Sequence, residues 1–188
     1  MKLLFYRYGS IMEPDCIDGF RSLGFTVLEM KDEISDKTVG GKDFVANVTR
    51  FLDKNPVSFV FTINFFPLMA EVCHIYHLPY LAWTVDSPVL ELFSDALCYD
   101  TNHIFIFDRG SCLRLSDKNP GHIHHLPLGC NPSSREKTFR SASDAQRQRF
   151  SSDIAFVGSL YTEKIPMQDF QIRGPICRAI WPGSWRRS

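Results

Sequence analysis

Asp86 ends an apolar run at 80–86 and is followed by Ser87-Pro88, with Trp83 three residues before it. A carboxylate in that position suits general-base chemistry toward a hydroxyl, or anchoring of one. It belongs to a series. Gly9-Ser10 follow the run at 2–8, Asn64 closes the run at 57–64, and Asp108-Arg109 close the run at 103–108. Gly129 and Asn131 follow 122–129, and Gly158-Ser159 follow a run that begins at Asp153. A glycine at such a turn lets a ligand approach the backbone, and free N–H groups at the next helix start hold phosphate or sugar oxygens. Each of these residue types also ends strands because turns require it. Asp86 is set apart only by its neighbours Trp83, Ser87 and Pro88.

Other chemistries are less well served. "HIHH" at 122–125 puts His122 and His124 on one side of a strand and His125 on the other, and "CHIYH" puts Cys73 and His77 one helical turn apart. Neither has a partner pair at metal-ligand spacing, so polar residues on partly exposed faces are the expectation. No G-x-S-x-G elbow or phosphate-binding G-x-x-x-x-G-K-[ST] loop occurs, and "YGSIMEP" lacks the G-x-G-x-x-G of a dinucleotide site.

The elements that must carry these residues alternate. Strand-like runs lie at 2–8, 25–30, 57–64, 80–86, 103–108 and 122–129. Between them fall a helix from Pro14 to Gly24 and a stripe of Phe44, Val45, Val48, Phe51 and Leu52 at helical spacing. Further helices are expected from Pro67 through His77, near 89–97 and near 110–116. Strands three to five are almost continuously apolar, as strands buried on both faces are. The pattern predicts an α/β fold with a Rossmann-like, doubly wound parallel sheet, whose strand ends share one ligand-binding edge. The polar, Ser/Arg-rich segment 133–152 reads as a linker, with a seventh strand after it. A flavodoxin-like signalling domain fits the same pattern, but no acidic pair follows strand one.

Composition narrows the classes. The chain has 188 residues, 21 Lys+Arg against 21 Asp+Glu, and 44% hydrophobic residues. A balanced charge argues against nucleic acid as a partner. No apolar run is long enough for an integral membrane segment, and the N-terminus does not read as a signal peptide. Six cysteines lack CxxC spacing. Cys16, Cys73, Cys98 and Cys130 sit in or beside apolar runs, so buried reduced thiols and a cytoplasmic location are expected.

The segments "FYRYGSIMEPD", "FTINFFP", "YLAWTVDSPVLEL", "HIFIFDR", "HLPLG" and "DIAFVGSLYTEK" occur in this order. Together they resemble the N-terminal half of a bacterial glycosyltransferase-like family related to the CgeB spore-maturation proteins, over residues 1–164. "WTVDSP" and "FVGSLYTEK" are the most specific parts. The resemblance implies the N-terminal half of a GT-B architecture, two Rossmann-like domains facing across a cleft. It also implies an acceptor-side domain, a nucleotide-sugar donor, an unidentified acceptor, and no bound metal or other cofactor. Helix N-termini and basic side chains would stabilise the departing diphosphate. On that reading Asp86 is the base or acceptor anchor. Gly9, Ser10, Asn64, Trp83, Ser87 and Asp108 face the substrate, and Gly158 and Ser159 open the donor domain. The domains would be 1–132, a linker at 133–152, and a truncated start of a second domain at 153–188. The tail "GPICRAIWPGSWRRS" continues neither helix nor strand, so a frameshifted or prematurely ended gene with weak or no turnover is expected. The alternative is a non-catalytic binding module for a sugar, nucleotide or protein partner, with Trp83 and Tyr80 available to stack on a ring.

Overall fold

The computed structural model of the protein describes residues 1–31 and 40–155. Its sheet has six strands: β1 (Lys2–Tyr6), β2 (Thr26–Met30), β3 (Phe59–Ile63), β4 (Tyr80–Thr84), β5 (Asn102–Ile106) and β6 (Ile123–His125). Every neighbouring pair is parallel and the order is β2-β1-β3-β4-β5-β6. The doubly wound parallel α/β architecture expected from the alternating runs is therefore present. The order reverses between β1 and β3, which makes that gap the switch point where ligand crevices form in such sheets.

Side-chain alternation along the strands builds two apolar layers. On one face Leu4, Tyr6, Val60, Tyr80, Ala82, Ile104, Ile106 and Ile123 are buried. They pack under α2 (Gly41–Lys54), α3 (Pro67–Ile75) and α4 (Arg109–Leu115), through Phe44, Val48, Leu52, Met69, Val72, Cys73, Cys112 and Leu115. On the other face Leu3, Phe5, Phe59, Phe61 and Ile63 pack with Ile17 and Phe20 of α1 (Glu13–Ser22).

Helix α1 begins with Pro14 in its first turn and acids at Glu13 and Asp15, which the positive end of the helix dipole favours. It ends in a Schellman motif. The Phe25 N–H reaches the Phe20 carbonyl at 3.0 Å and the Gly24 N–H reaches Arg21 at 3.0 Å. Gly24 takes φ +84°, which a side chain would disfavour. Phe20 and Phe25 then meet edge to face, 5.8 Å apart, closing the motif.

Several expectations shift. The helix near 89–97 is instead two 3-10 turns, Leu90–Phe93 and Asp95–Cys98, separated by an extended Ser94. Buried amides hold them: Asn102 Nδ2 donates to the carbonyls of Ala96 (2.8 Å) and Leu97 (3.1 Å), and Asn119 Nδ2 to those of Leu97 (2.8 Å) and Tyr99 (2.9 Å). The expected run 122–129 pairs only over Ile123–His125, because Pro127 has no N–H to continue the ladder. Cys98 and Cys130 are exposed, against expectation, because both stand just past the apolar runs beside them; Cys73 and Cys112 are buried. The polar segment after β6 holds two helices, α5 (Pro132–Ser141) and α6 (Asp144–Arg149), the latter started by a Ser143–Gln146 capping box.

The chain forms two compact units, residues 1–141 and 142–188; the described part of the second is residues 142–155, which include α6. The expected seventh strand lies largely outside the described residues, as do Gly158 and Ser159. No described helix is long and apolar enough to cross a membrane.

Candidate functional site

At the switch point the turn after β1 is already occupied by the chain itself. Gly9 has φ +98°, which turns three successive amides inward. The N–H groups of Tyr8, Gly9 and Ser10 all donate to Oε1 of Glu13, at 2.9, 2.9 and 3.0 Å. Glu13 is fully buried, and its Oε2 accepts from Arg7 Nε at 2.9 Å. Arg7 also donates to Glu29 of β2 at 2.7 Å, and Glu29 accepts from Arg21 at 2.8 Å. The backbone concavity that would cradle an anion thus holds a carboxylate from the first turn of the following helix. Gly9 and Ser10 are at the sheet edge, as the sequence places them, with their amides committed to Glu13.

Next to this turn lies a polar knot. Asn64 adopts φ +59° immediately after β3, a conformation that asparagine tolerates better than most residues. Its Nδ2 donates to Asp86 Oδ2 at 2.6 Å and to the Tyr8 hydroxyl at 3.0 Å, while its Oδ1 accepts from the Val85 N–H at 3.0 Å. Burial, reinforced by the Asp86 carboxylate, raises the Tyr8 hydroxyl above its ordinary pKa. Beneath, the Thr62 and Tyr80 hydroxyls lie 2.7 Å apart, Thr62 donates to the Asn64 carbonyl at 2.6 Å, and the Phe66 N–H donates to Tyr80 at 3.0 Å. Tyr80 is fully buried, so it is a strut of the core and offers no ring to a ligand.

The structure therefore brings together Gly9, Ser10, Asn64 and Asp86 of the predicted set. Ser87 follows on the exposed side, joined to Pro88 by a cis peptide bond. Asp108 is used otherwise: its carboxylate accepts from the Ser111 N–H at 2.7 Å as the N-cap of α4. The hydrogen bonds from Ser111 lower its pKa.

Trp83 leads to a second place. It faces the α1 side of the sheet, and its indole N–H donates to the Leu126 carbonyl at 3.1 Å. A cavity of about 710 Å³ lies beside it, between α1 and residues 129–137; Met12, Asp15, Asn131 and Lys137 contribute to its wall. A second cavity, of about 310 Å³, is walled by Phe20, Leu23, Phe61, Leu81, Phe105 and Leu126. Both include Cys16, Gly19 and Trp83, so they are two ends of one trough, polar at one end and apolar at the other. Arg135 of α5 pairs with Asp15 at the polar end. Asn131 accepts from the Ser134 N–H at 3.1 Å. Burial, with Asp15 and Glu13 adding to it, pushes the Cys16 thiol up to about 11, so it stays protonated and inert.

Sequence reasoning missed Glu13 and the trough. Glu13 had a signal, since it stands four residues after Gly9 at a helix start, where a carboxylate reaches backward to loop amides. The trough had none, because α1, β4 and residues 129–137 are distant in sequence.

No protein-family model matches the chain, and no curated protein matches it. Two solved structures are similar to it. The chemotaxis protein CheY4 of Vibrio cholerae is 13% identical, covering 74% of this chain and 95% of that one, with a TM-score of 0.37. A two-component response regulator from Clostridium difficile is 12% identical, covering 81% of this chain and 99% of that one, with a TM-score of 0.35. Neither likeness transfers a residue's role. The expected membership in a CgeB-like glycosyltransferase family is corrected: no model of such a family matches the chain, and the two similar solved structures carry other names, a chemotaxis protein and a two-component response regulator. The physical reason is that apolar strands ending in Gly, Asn or Asp recur in parallel α/β sheets of many functions. The nucleotide-sugar donor and the acceptor were implied only by that resemblance and fall with it.

Proposed function

We propose that the chain is a non-catalytic binding module whose ligand lies in the trough along α1, against Trp83. The observation that carries this is the commitment of the switch-point amides to Glu13, while an open trough beside Trp83 combines an apolar wall with a polar end. With its N–H bonded to Leu126, Trp83 presents an apolar ring surface to both ends. Asp15, Asn131 and Lys137 supply acceptors and a donor at the polar end. That combination suits a hydroxyl-bearing ring compound, a sugar or nucleoside, with one flat apolar face. Five described free thiols, two of them exposed, favour a reducing, cytoplasmic compartment.

The test is a thermal-shift titration with monosaccharides, nucleosides and nucleoside diphosphates, followed by the same titration on Trp83→Ala and Asp86→Ala. A ligand at a hundredfold excess over its Kd stabilises by about 2.7 kcal/mol. The expected result is a saturable shift with one ligand class, lost in Trp83→Ala and kept in Asp86→Ala. Loss in Asp86→Ala alone moves the site to the strand ends and overturns the reading, as does the absence of any shift. The apolar end supports a second reading, a protein partner laid over Leu81, Phe105 and Leu126.

A further inference from the structure

On the face that carries Trp83, the parallel register lines side chains up in rows across the strands. One row runs Phe5, Phe61, Leu81 and His103; the next runs Ile63, Trp83, Phe105 and His124. His122 precedes β6 and stands beside His103, with ring centroids 5.2 Å apart and planes 37° apart. His124 packs instead on Phe105, 5.4 Å away. The imidazole pair lies toward the β6 edge, and neither histidine lines the trough, so the proposed ligand site does not use it.

We propose that His103 and His122 form a two-imidazole site for a divalent transition-metal ion of the Zn²⁺, Ni²⁺ or Cu²⁺ class, with solvent completing the coordination. The spacing fits. Metal–nitrogen bonds of about 2.0–2.1 Å put an ion about 3.2 Å from each ring centroid, so a tetrahedral angle separates the centroids by about 5.2 Å. His122 is prepared for the role. Its Nδ1 lies 2.7 Å from the Asn102 carbonyl oxygen, which only accepts, so Nδ1 carries the proton and Nε2 keeps its lone pair. His103 is half-buried on β5, and its ring faces that of His122 across the strand edge. No three His, Cys, Asp or Glu side chains converge on a metal position among the described residues, so the protein supplies two ligands. His125 does not share the site: its Nε2 lies 3.2 Å from the Phe107 carbonyl.

Ni²⁺ is the probe, because the exposed thiols of Cys98 and Cys130 favour softer ions. The full chain is titrated by calorimetry, and imidazole signals are followed by NMR. The expected result is one ion per chain, with paramagnetic broadening reaching His103 and His122 first. His103→Gln and His122→Gln should each weaken binding by roughly tenfold or more, and His125→Gln should leave it unchanged. Ni²⁺ affinity unchanged in both His103→Gln and His122→Gln overturns the proposal. So does a loss in His124→Gln or His125→Gln as large as theirs, or no binding to the wild-type chain. His122 is at the sheet edge, so His122→Gln keeps the test open should His103→Gln fail to fold.

Discussion

Replacing Glu13 with Ala removes the carboxylate on which the amides of the β1 turn converge. Its carboxylate accepts three backbone amides at 2.9–3.0 Å through one oxygen and Arg7 at 2.9 Å through the other. Breaking a partnered buried charge costs about 3–5 kcal/mol. Two features draw the value toward the lower end. Gly9 is exposed, so water reaches its stranded amide, and Arg7 keeps Glu29 at 2.7 Å. The expected loss for Glu13→Ala is therefore about 3 kcal/mol, or about 6–12 °C in Tm for a chain of this size. Glu13→Gln keeps an acceptor for the three amides but loses the charge and turns an NH2 donor toward Arg7 Nε–H, so the Arg7 hydrogen bond goes. Its expected cost is about 1.5–3 kcal/mol, the range of a hydrogen bond to a charged group. Urea unfolding followed by far-UV circular dichroism measures both, with m expected to stay constant. A loss below about 1 kcal/mol for Glu13→Ala would refute the reasoning. Equal losses for the two variants would assign the effect to charge and not to the amide cradle.

Three further outcomes follow from the same structure. Gly24→Ala forces a Cβ into φ +84° and should cost about 1 kcal/mol by chemical denaturation. Tyr80→Phe deletes the hydroxyl that accepts the Phe66 N–H at 3.0 Å and sits 2.7 Å from Thr62. It should cost about 1–3 kcal/mol, and no loss would mean that water replaces it. Burial raises the Glu29 carboxyl, but Arg7 and Lys31 outweigh it and hold its pKa below the ordinary value. A depressed folded pKa contributes stability that is complete above the unfolded value, about 4.3, and lost as pH falls through the folded value. Glu29→Gln should therefore flatten the fall in Tm below pH ~4.3, and an unchanged acid limb would count against it.

The strands were legible because burial on both faces leaves unbroken apolar runs, and Phe44, Val48 and Leu52 announced α2 by spacing alone. Asn64 and Asp86 were legible as strand-end residues, since the edge of a parallel sheet collects whatever follows each strand. Their direct hydrogen bond depended on Asn64 at φ +59°, which no pattern reveals. The 3-10 turns were misjudged because Val89, Leu92 and Ala96 carry helical spacing, whereas Asn102 and Asn119, from outside the segment, bind the carbonyls a helix would have used. The polar segment after β6 folds into helices through local capping, although α5 and α6 bury no residue. The family resemblance was the largest error, and it rested on turns that the fold itself demands.

The Glu13 cradle also bears on how the chain folds. It joins residues 7–13, and Arg7 extends it to Glu29, so β1, α1 and β2 close on one another through contacts that span 22 residues or fewer. Short loops are cheap to close, which favours this unit as an early structure on the folding path. A Glu13 substitution should then slow refolding more than it speeds unfolding, giving a φ-value well above one half in a chevron analysis. A φ-value near zero would place the cradle late, as a clasp that forms after the sheet has assembled.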